Sequence, residues 1–179
     1  MAWCQNSLVW YASNSNNPKL VTRFADKFAS GEILGGTGLS NPMKSFFGIE
    51  KLKLKGRKVE GGYRLSGQKT WVTSAPVADF FTVFAKAGEE KKLTIFLVER
   101  DFKGFAVGRE IHKMGVWALP TSEVGFSDCF VPDSHRLSRE EGDGEAPFDA
   151  ATVAKAAAEA GMAALAGQQG ATRDCLVYG

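Results

Sequence analysis

Lys58-Val59-Glu60-Gly61-Gly62-Tyr63-Arg64-Leu65-Ser66-Gly67-Gln68-Lys69-Thr70-Trp71-Val72-Thr73-Ser74 is the stretch on which the fold turns. Short runs rich in β-branched and aromatic residues stand on either side of glycines, which is the signature of strands joined by tight turns. Lys58 to Leu65 and Gln68 to Ser74 read as strands, with Gly61-Gly62 turning a hairpin. The same grammar extends in both directions. Gly48 to Leu54 precedes it, and Phe80 to Lys86, Leu93 to Glu99, Phe105 to Arg109 and Ser122 to Val131 follow. Gly88-Glu89-Glu90-Lys91 and Asp101 to Gly104 supply further turns. No long helix separates these runs, so they read as an antiparallel sandwich or barrel of ~100 residues.

Both flanks change regime. From Asn6 to Ser30, Leu8, Val9, Tyr11, Leu20, Val21, Phe24 and Phe28 recur at helical spacing. The turn-like Asn14-Ser15-Asn16-Asn17-Pro18 splits them into two helices, the first beginning almost at Met1. Trp3 and Trp10 are too large for such short helices to bury alone. On the other side, the acidic Glu140-Glu141-Gly142-Asp143-Gly144-Glu145 has the composition of a solvated interdomain connection. Beyond it the alanine-rich stretch from Phe148 to about Tyr178 is helix-prone, with Val153, Ala157, Ala160, Ala164 and Leu165 as a stripe of small residues for close packing. The expected class is therefore α+β, an antiparallel β barrel or sandwich flanked by partial helical domains. Its expected divisions are 1–32 (end of a helical domain), 33–137 (β barrel), 138–147 (acidic linker) and 148–179 (first helix of a further helical domain), so the chain reads as a fragment.

With 179 residues, 44% hydrophobic and 23% charged, the chain has the composition of a soluble globular protein. The 22 basic and 20 acidic residues leave no global field for nucleic acid. Lys51, Lys53 and Lys55 alternate with Leu52 and Leu54 and continue into Arg57 and Lys58. They read as protection of an edge strand or as a phosphate groove, and no aromatic residues interleave with them as a nucleic-acid platform requires. Cys4, Cys129 and Cys175 lack metal or redox spacing, and no apolar run reaches the ~20 residues of a membrane span. The location expected is cytoplasmic. His112 and His135 have no convergent metal ligand, and Ser40 and Ser45 lack a nucleophile-elbow pattern, so neither metal nor hydrolase chemistry is indicated.

Two motifs remain. Gly36-Thr37-Gly38-Leu39-Ser40-Asn41-Pro42 is either a connecting turn or a loop presenting N–H groups and hydroxyls to an acceptor; its spacing matches neither dinucleotide nor phosphate-loop patterns. Trp71 and Thr73, two apart on a strand, share a face, and a large ring beside a hydroxyl suits a flat heteroaromatic ligand as well as it suits a barrel core.

The order of these signals carries more than any one of them. Thr37-Gly38-Leu39-Ser40-Asn41-Pro42, Gly67-Gln68-Lys69-Thr70-Trp71-Val72-Thr73, Ala78-Asp79, Ile95-Phe96-Leu97-Val98-Glu99, Lys103-Gly104-Phe105, Lys113-Met114-Gly115-Val116 and Val124-Gly125-Phe126-Ser127-Asp128-Cys129-Phe130-Val131-Pro132 together resemble the middle domain of the acyl-CoA dehydrogenases. The resemblance implies FAD as cofactor, with the flavin between the β domain and a C-terminal bundle. It implies that Leu39 and Ser40 bond the flavin pyrimidine edge, that Trp71 flanks the ring with Val72 following it in the cofactor-binding run, and that Thr73 directs its hydroxyl at flavin N5. It places Ser45 near the serine at the acyl-CoA entrance, though the usual Gly-Ala-Gly-Ser is here Met43-Lys44-Ser45-Phe46. Ser40-Asn41-Pro42 likewise replaces Thr-Glu-Pro, the mark of a divergent branch. The implied reaction of fatty acid metabolism is α,β-desaturation of an acyl-CoA, with electrons leaving through an electron-transferring flavoprotein and the full-length protein a homo-oligomer. The family's catalytic carboxylate falls beyond Gly179, so no catalytic residue is assigned. A flavin monooxygenase of the same fold and a non-catalytic β-barrel interaction module are the alternatives.

Overall fold

Seven strands and two helices account for most of the computed structural model, which describes residues 2–13, 15, 17–38, 49, 51–88 and 92–138. In chain order these are α1 (Ala2–Ser13), α2 (Pro18–Ser30), β1 (Gly35–Thr37), β2 (Lys55–Val59), β3 (Gly62–Thr73), β4 (Phe80–Ala87), β5 (Lys92–Glu99), β6 (Phe105–Glu110) and β7 (Thr121–Pro132). The expected segments 139–147 and 148–179 lie outside the described residues, as does Cys175.

The two helices form where the sequence places them. Asn17 caps α2 by accepting the Leu20 N–H at 3.3 Å, Pro18 opens its first turn, and Gly31 at φ 75° closes it in the left-handed conformation that glycine adopts without strain. Tyr11 packs edge-on against Phe84, and Phe24 and Phe28 against Phe80, so the helices cover one face of β4.

The sheet is mixed, and its order is β1-β4-β2-β3-β7-β6 with β5 paired to β4. Most pairings are antiparallel, as the turn signals imply. The exceptions are β1 and β2, which run parallel to β4 and antiparallel to β3. These two short strands bridge the β3–β4 seam at opposite ends: Thr37 lies between Thr73 and Thr82, and Lys55 between Ser66 and Lys86. Beyond β7, residues 136–138 return to β5 through a Phe96–Arg136 bridge and a Leu137 N–H to Ile95 carbonyl bond.

Alternation then sorts the side chains. Phe81, Val83, Ala85 and Ala87 of β4 join Tyr63, Leu65, Val72, Phe96, Val124, Phe126, Cys129 and Val131 in the barrel core. Phe80, Thr82 and Phe84 face the opposite way, with Phe80 and Phe84 against the helices. The core thus has two layers that share β4, the first expected from the strand pattern and the second supplied by α1 and α2.

Three readings change. Gly35-Gly36-Thr37, expected as part of a loop, is a strand, because both its neighbours offer ladder partners. Within the run Gly48 to Leu54, residues 51–54 are irregular, although Leu52 and Leu54 are buried and Lys51 and Lys53 are exposed. The lysines therefore do not belong to an edge strand: β2, where Lys55 sits, is paired on both sides. The run Lys58 to Leu65 is divided by the turn at Glu60-Gly61, and β3 continues from Gly62 through Thr73 as one strand.

Gly62 lies where β3 passes under β7, and a Cβ there would meet the Val131 carbonyl oxygen and, at 2.9 Å, the Pro132 Cα, both backbone. Gly62→Ala is expected to cost about 2 kcal/mol as the strands are forced apart. Gly125→Ala, with open space around it, should stay within about 0.5 kcal/mol of wild type. Urea midpoints of the two variants check this contrast.

Candidate functional site: the Trp71 bulge

Two register shifts interrupt the β3–β7 ladder, one between Leu65 and Gly67 and the other between Lys69 and Val72. At the second, Thr70 and Trp71 together oppose Glu123, since Lys69 pairs with Val124 and Val72 with Ser122. This is a β-bulge, which leaves an extra residue off the ladder and re-aims its side chain. Trp71 takes a φ of 61°, a left-handed conformation costly for a bulky residue. Its ring is 54% exposed while Val72 beside it is buried.

Val72 faces the core, so Thr73, the next residue, projects outward, and Thr37 and Thr121 share its face because they are its direct cross-strand partners. Thr82 pairs with Thr37. A row of four threonines therefore crosses β4, β1, β3 and β7 at one end of the seam. The hydroxyls of Thr37 and Thr82 are buried and have no hydrogen-bond partner among the described residues, whereas Thr121 accepts from Lys113 Nζ at 2.8 Å. Thr73 is half-buried.

A scaffold of side chains fixes this end of the wall. Gln5 of α1 donates to the Phe28 and Ile33 carbonyls at 2.7 and 2.8 Å and accepts the Gly35 N–H at 2.9 Å. Asp79 accepts the Leu34 N–H at 2.9 Å, while its own N–H returns to the Leu34 carbonyl. Arg100 donates to the Ala75 and Ala78 carbonyls at 2.6 and 2.7 Å, holding the turn that follows Thr73. Ser74 N–H bonds the Pro120 carbonyl at 2.8 Å, so the segment before β7 is tied to the same corner.

On the inner face lies Lys69, 2% exposed and among the largest buried side chains. Its stem passes Gly38, where a Cβ would stand 2.9 Å from Lys69 Cδ. Its Nζ has no hydrogen-bond partner among the described residues, and burial lowers its pKa from 10.5 to about 7.

Of the residues singled out from sequence, Trp71, Val72 and Thr73 meet at the bulge, with Trp71 and Thr73 on the outer side and Val72 in the core. Leu39, Ser40 and Ser45 lie outside the described residues. His112 is exposed, and His135 is buried, with Nε2 2.7 Å from Glu99 Oε1, so it locks the turn after β7 onto β5. Among the described residues no group of acidic, histidine or cysteine side chains could hold a metal, and Cys4 and Cys129 are buried free thiols, with Cys129 pushed up to about 11 by burial. No described helix is long and apolar enough to cross a membrane. Sequence reading missed Thr37 and Lys69. Lys69 had a visible signal, a cation at the inward parity of an alternating strand; Thr37 had none before its partners were known.

An outward indole beside a hydroxyl can cover the face of a planar heteroaromatic ring and reach its polar edge, so these residues fit a flavin. Residues 47–129 match the family description "Acyl-CoA dehydrogenase, middle domain". The chain is 60% identical over 129 residues to benzylmalonyl-CoA dehydrogenase of Aromatoleum aromaticum, covering 72% of this chain and 34% of that protein. It is 35% identical over 140 residues to the mitochondrial isovaleryl-CoA dehydrogenase of Oryza sativa subsp. japonica, covering 76% and 33%. Among solved structures it resembles PigA with FAD and proline (TM-score 0.70, 29% identity, 78% of this chain and 37% of that one). It also resembles a glutaryl-CoA dehydrogenase from Mycobacterium smegmatis in complex with FADH2 (TM-score 0.64, 27% identity, 75% and 34%). The chain belongs to the acyl-CoA dehydrogenase family and carries its middle domain. It spans about a third of the length of the curated relatives it matches.

The lysine makes a pH test of this wall. Unfolded, its amine binds a proton up to 10.5; folded, only up to about 7. The unfolded chain therefore holds more protons in between, and stability rises with pH across that window. The thiols of Cys4 and Cys129, raised from 9.0, act in the opposite sense at higher pH. Between pH 7 and about 8.5 the urea midpoint of wild type should climb, whereas Lys69→Met should be more stable at pH 7 and lack that climb.

Proposed function

We propose that this chain forms the flavin-facing wall of an FAD-dependent acyl-CoA dehydrogenase that desaturates an acyl-CoA thioester between its α and β carbons. The observation that carries the reading is the Trp71 bulge, where an exposed tryptophan stands two residues before the half-buried Thr73. When bound, the flavin supplies an acceptor for the β hydrogen, which leaves as hydride while a carboxylate takes the α proton and an enoyl-CoA forms. The chain's own part is geometric. Trp71 covers one side of the ring and limits access of water, Thr73 donates to a ring nitrogen, and Leu39 and Ser40 bond its pyrimidine edge. Val72 anchors the strand between the two outward residues, and Ser45 belongs to the acyl-CoA side. No residue of this chain is assigned the role of base.

The substrate class follows the likeness at 60% identity: an acyl-CoA bearing an aryl group and one free carboxylate is the first to test, with an electron-transferring flavoprotein as acceptor and a homo-oligomer as the working assembly. A cytoplasmic, reducing location accords with the buried free thiols.

The test is a chimera in which this chain replaces the matching third of the benzylmalonyl-CoA dehydrogenase. FAD retention and substrate-dependent bleaching of the flavin are expected, and a folded chimera that retains no FAD would refute the reading. In that chimera Thr73→Val should change the flavin absorbance and slow its reduction about 10-fold or more, the cost of about 1.4 kcal/mol for one hydrogen bond that is made to the ring. The isolated chain, offering one wall only, should bind FAD weakly or not at all by fluorescence titration and catalyse no dehydrogenation.

A further inference from the structure

Three departures from ordinary strand chemistry converge on three consecutive residues of β3, Lys69 to Trp71. Lys69 buries an amine without a partner, the ladder breaks directly after it, and Trp71, at φ 61°, turns a large ring to solvent. Each alone is destabilising: a buried polar group forfeits its hydration, and a bulky left-handed residue is strained. A methionine at position 69 would fill the same volume without that cost. Such coincidences of local rule-breaking mark functional positions more often than scaffold.

The surroundings of the amine narrow its role. Gly38, the residue after β1, lies against its stem, β3 presents Val72, and β7 presents Val124 and the Ser122 hydroxyl, which has no partner among the described residues, on the same inner face. None of these carries a charge. Glu123 of β7 lies on the outer face opposite the bulge, and Lys113 is engaged with Thr121 and the Leu119 carbonyl. Burial is the sole influence on Lys69, so no described carboxylate compensates an ammonium there. Along its own strand the next two residues, Thr70 and Trp71, are the ones that the bulge takes out of register with β7.

We propose that Lys69 is a positioning residue for the outward ring of Trp71: its amine, from inside the wall, sets the geometry of the bulge, and gaining or losing a proton there shifts Trp71. Neutral, the amine rests inside the wall with its stem against Gly38. Protonated, it must find an acceptor in a dry wall, and it draws on the bulge carbonyls, which rotates the Thr70–Trp71 peptide and the indole attached to it. The coupling is local and needs no bound cofactor. It would let the protonation of one interior side chain adjust the ring that faces the flavin.

The experiment uses the full 179-residue chain labelled with nitrogen-15, the Trp71 indole N–H signal being identified by its loss in Trp71→Phe. In wild type that signal should move with a single midpoint near pH 7, by more than the signals of the remaining tryptophans. In Lys69→Met, the Trp71 signal should stay fixed from about pH 6 to 9. Lys69→Arg, which keeps a permanent charge, should fix the signal at the low-pH wild-type position. An identical Trp71 titration in wild type and Lys69→Met, with both folded by their amide spectra, would overturn the proposal, as would a wild-type Trp71 signal that does not move. Failure of the chain to retain FAD in the chimera would count against the flavin reading and leave this coupling standing.

Discussion

The double pairing of β1 is the constraint from which the rest of the wall follows. Its three residues pair along β4 and the last of them, Thr37, pairs with β3 as well, which closes the seam between β3 and β4 at one end. A strand that short has little cohesion of its own, so its position is set by what surrounds it: Gln5 from the helices, Asp79 from the following turn, and the close approach of Leu8 and Phe81. Glycine at 35 and 36 is a consequence, since a Cβ at either would stand 2.8 or 2.9 Å from those side chains. Helix layer, seam and site corner are thus one cooperative piece, and removal of the Gln5 carboxamide would be felt at Thr73 through β1 without any direct contact.

How far this was legible in the sequence depends on the range of the interaction involved. Period-two alternation and glycine turns are local, so the strands, the helices and the class of fold could be read directly, whereas the outward placement of Trp71 could not, because its spacing from Thr73 suits a barrel core as well. The strand at 35–37 could not, because nothing in Gly35-Gly36-Thr37 favours extended structure; its two neighbours impose it. For the same reason the parallel pairings of β1 and β2 were invisible, being decided by how β3 and β4 diverge. The bulge has no composition signal either. It is legible only from the mismatch in spacing between Lys69–Val72 and Ser122–Val124, which requires knowing that these segments pair.

The candidate site divides along the same line. A resemblance could carry roles onto Trp71, Val72 and Thr73 because those residues are adjacent in sequence and their order is specific. It could not nominate Thr37 or Lys69, whose interest lies in being buried polar groups without partners. An unpaired lysine is recognised by what is absent around it, and absence is a property of the packed state alone.

Placing the site at a bulge on an otherwise continuous barrel has a physical logic. A regular strand alternates its side chains at a fixed pitch, so an outward ring and an outward hydroxyl can only stand two residues apart in the geometry the pleat dictates. Inserting one residue frees the ring from that pitch while Val72, still in register with Ser122, keeps the strand anchored in the core. Ladder pairs flank it on both sides, Gly67 to Lys69 with Phe126 to Val124 on one and Val72 and Thr73 with Ser122 and Thr121 on the other. Adjustment is therefore confined to a single peptide group, and that is where a ring meant to lie against a planar ligand benefits from being set by something other than the sheet itself.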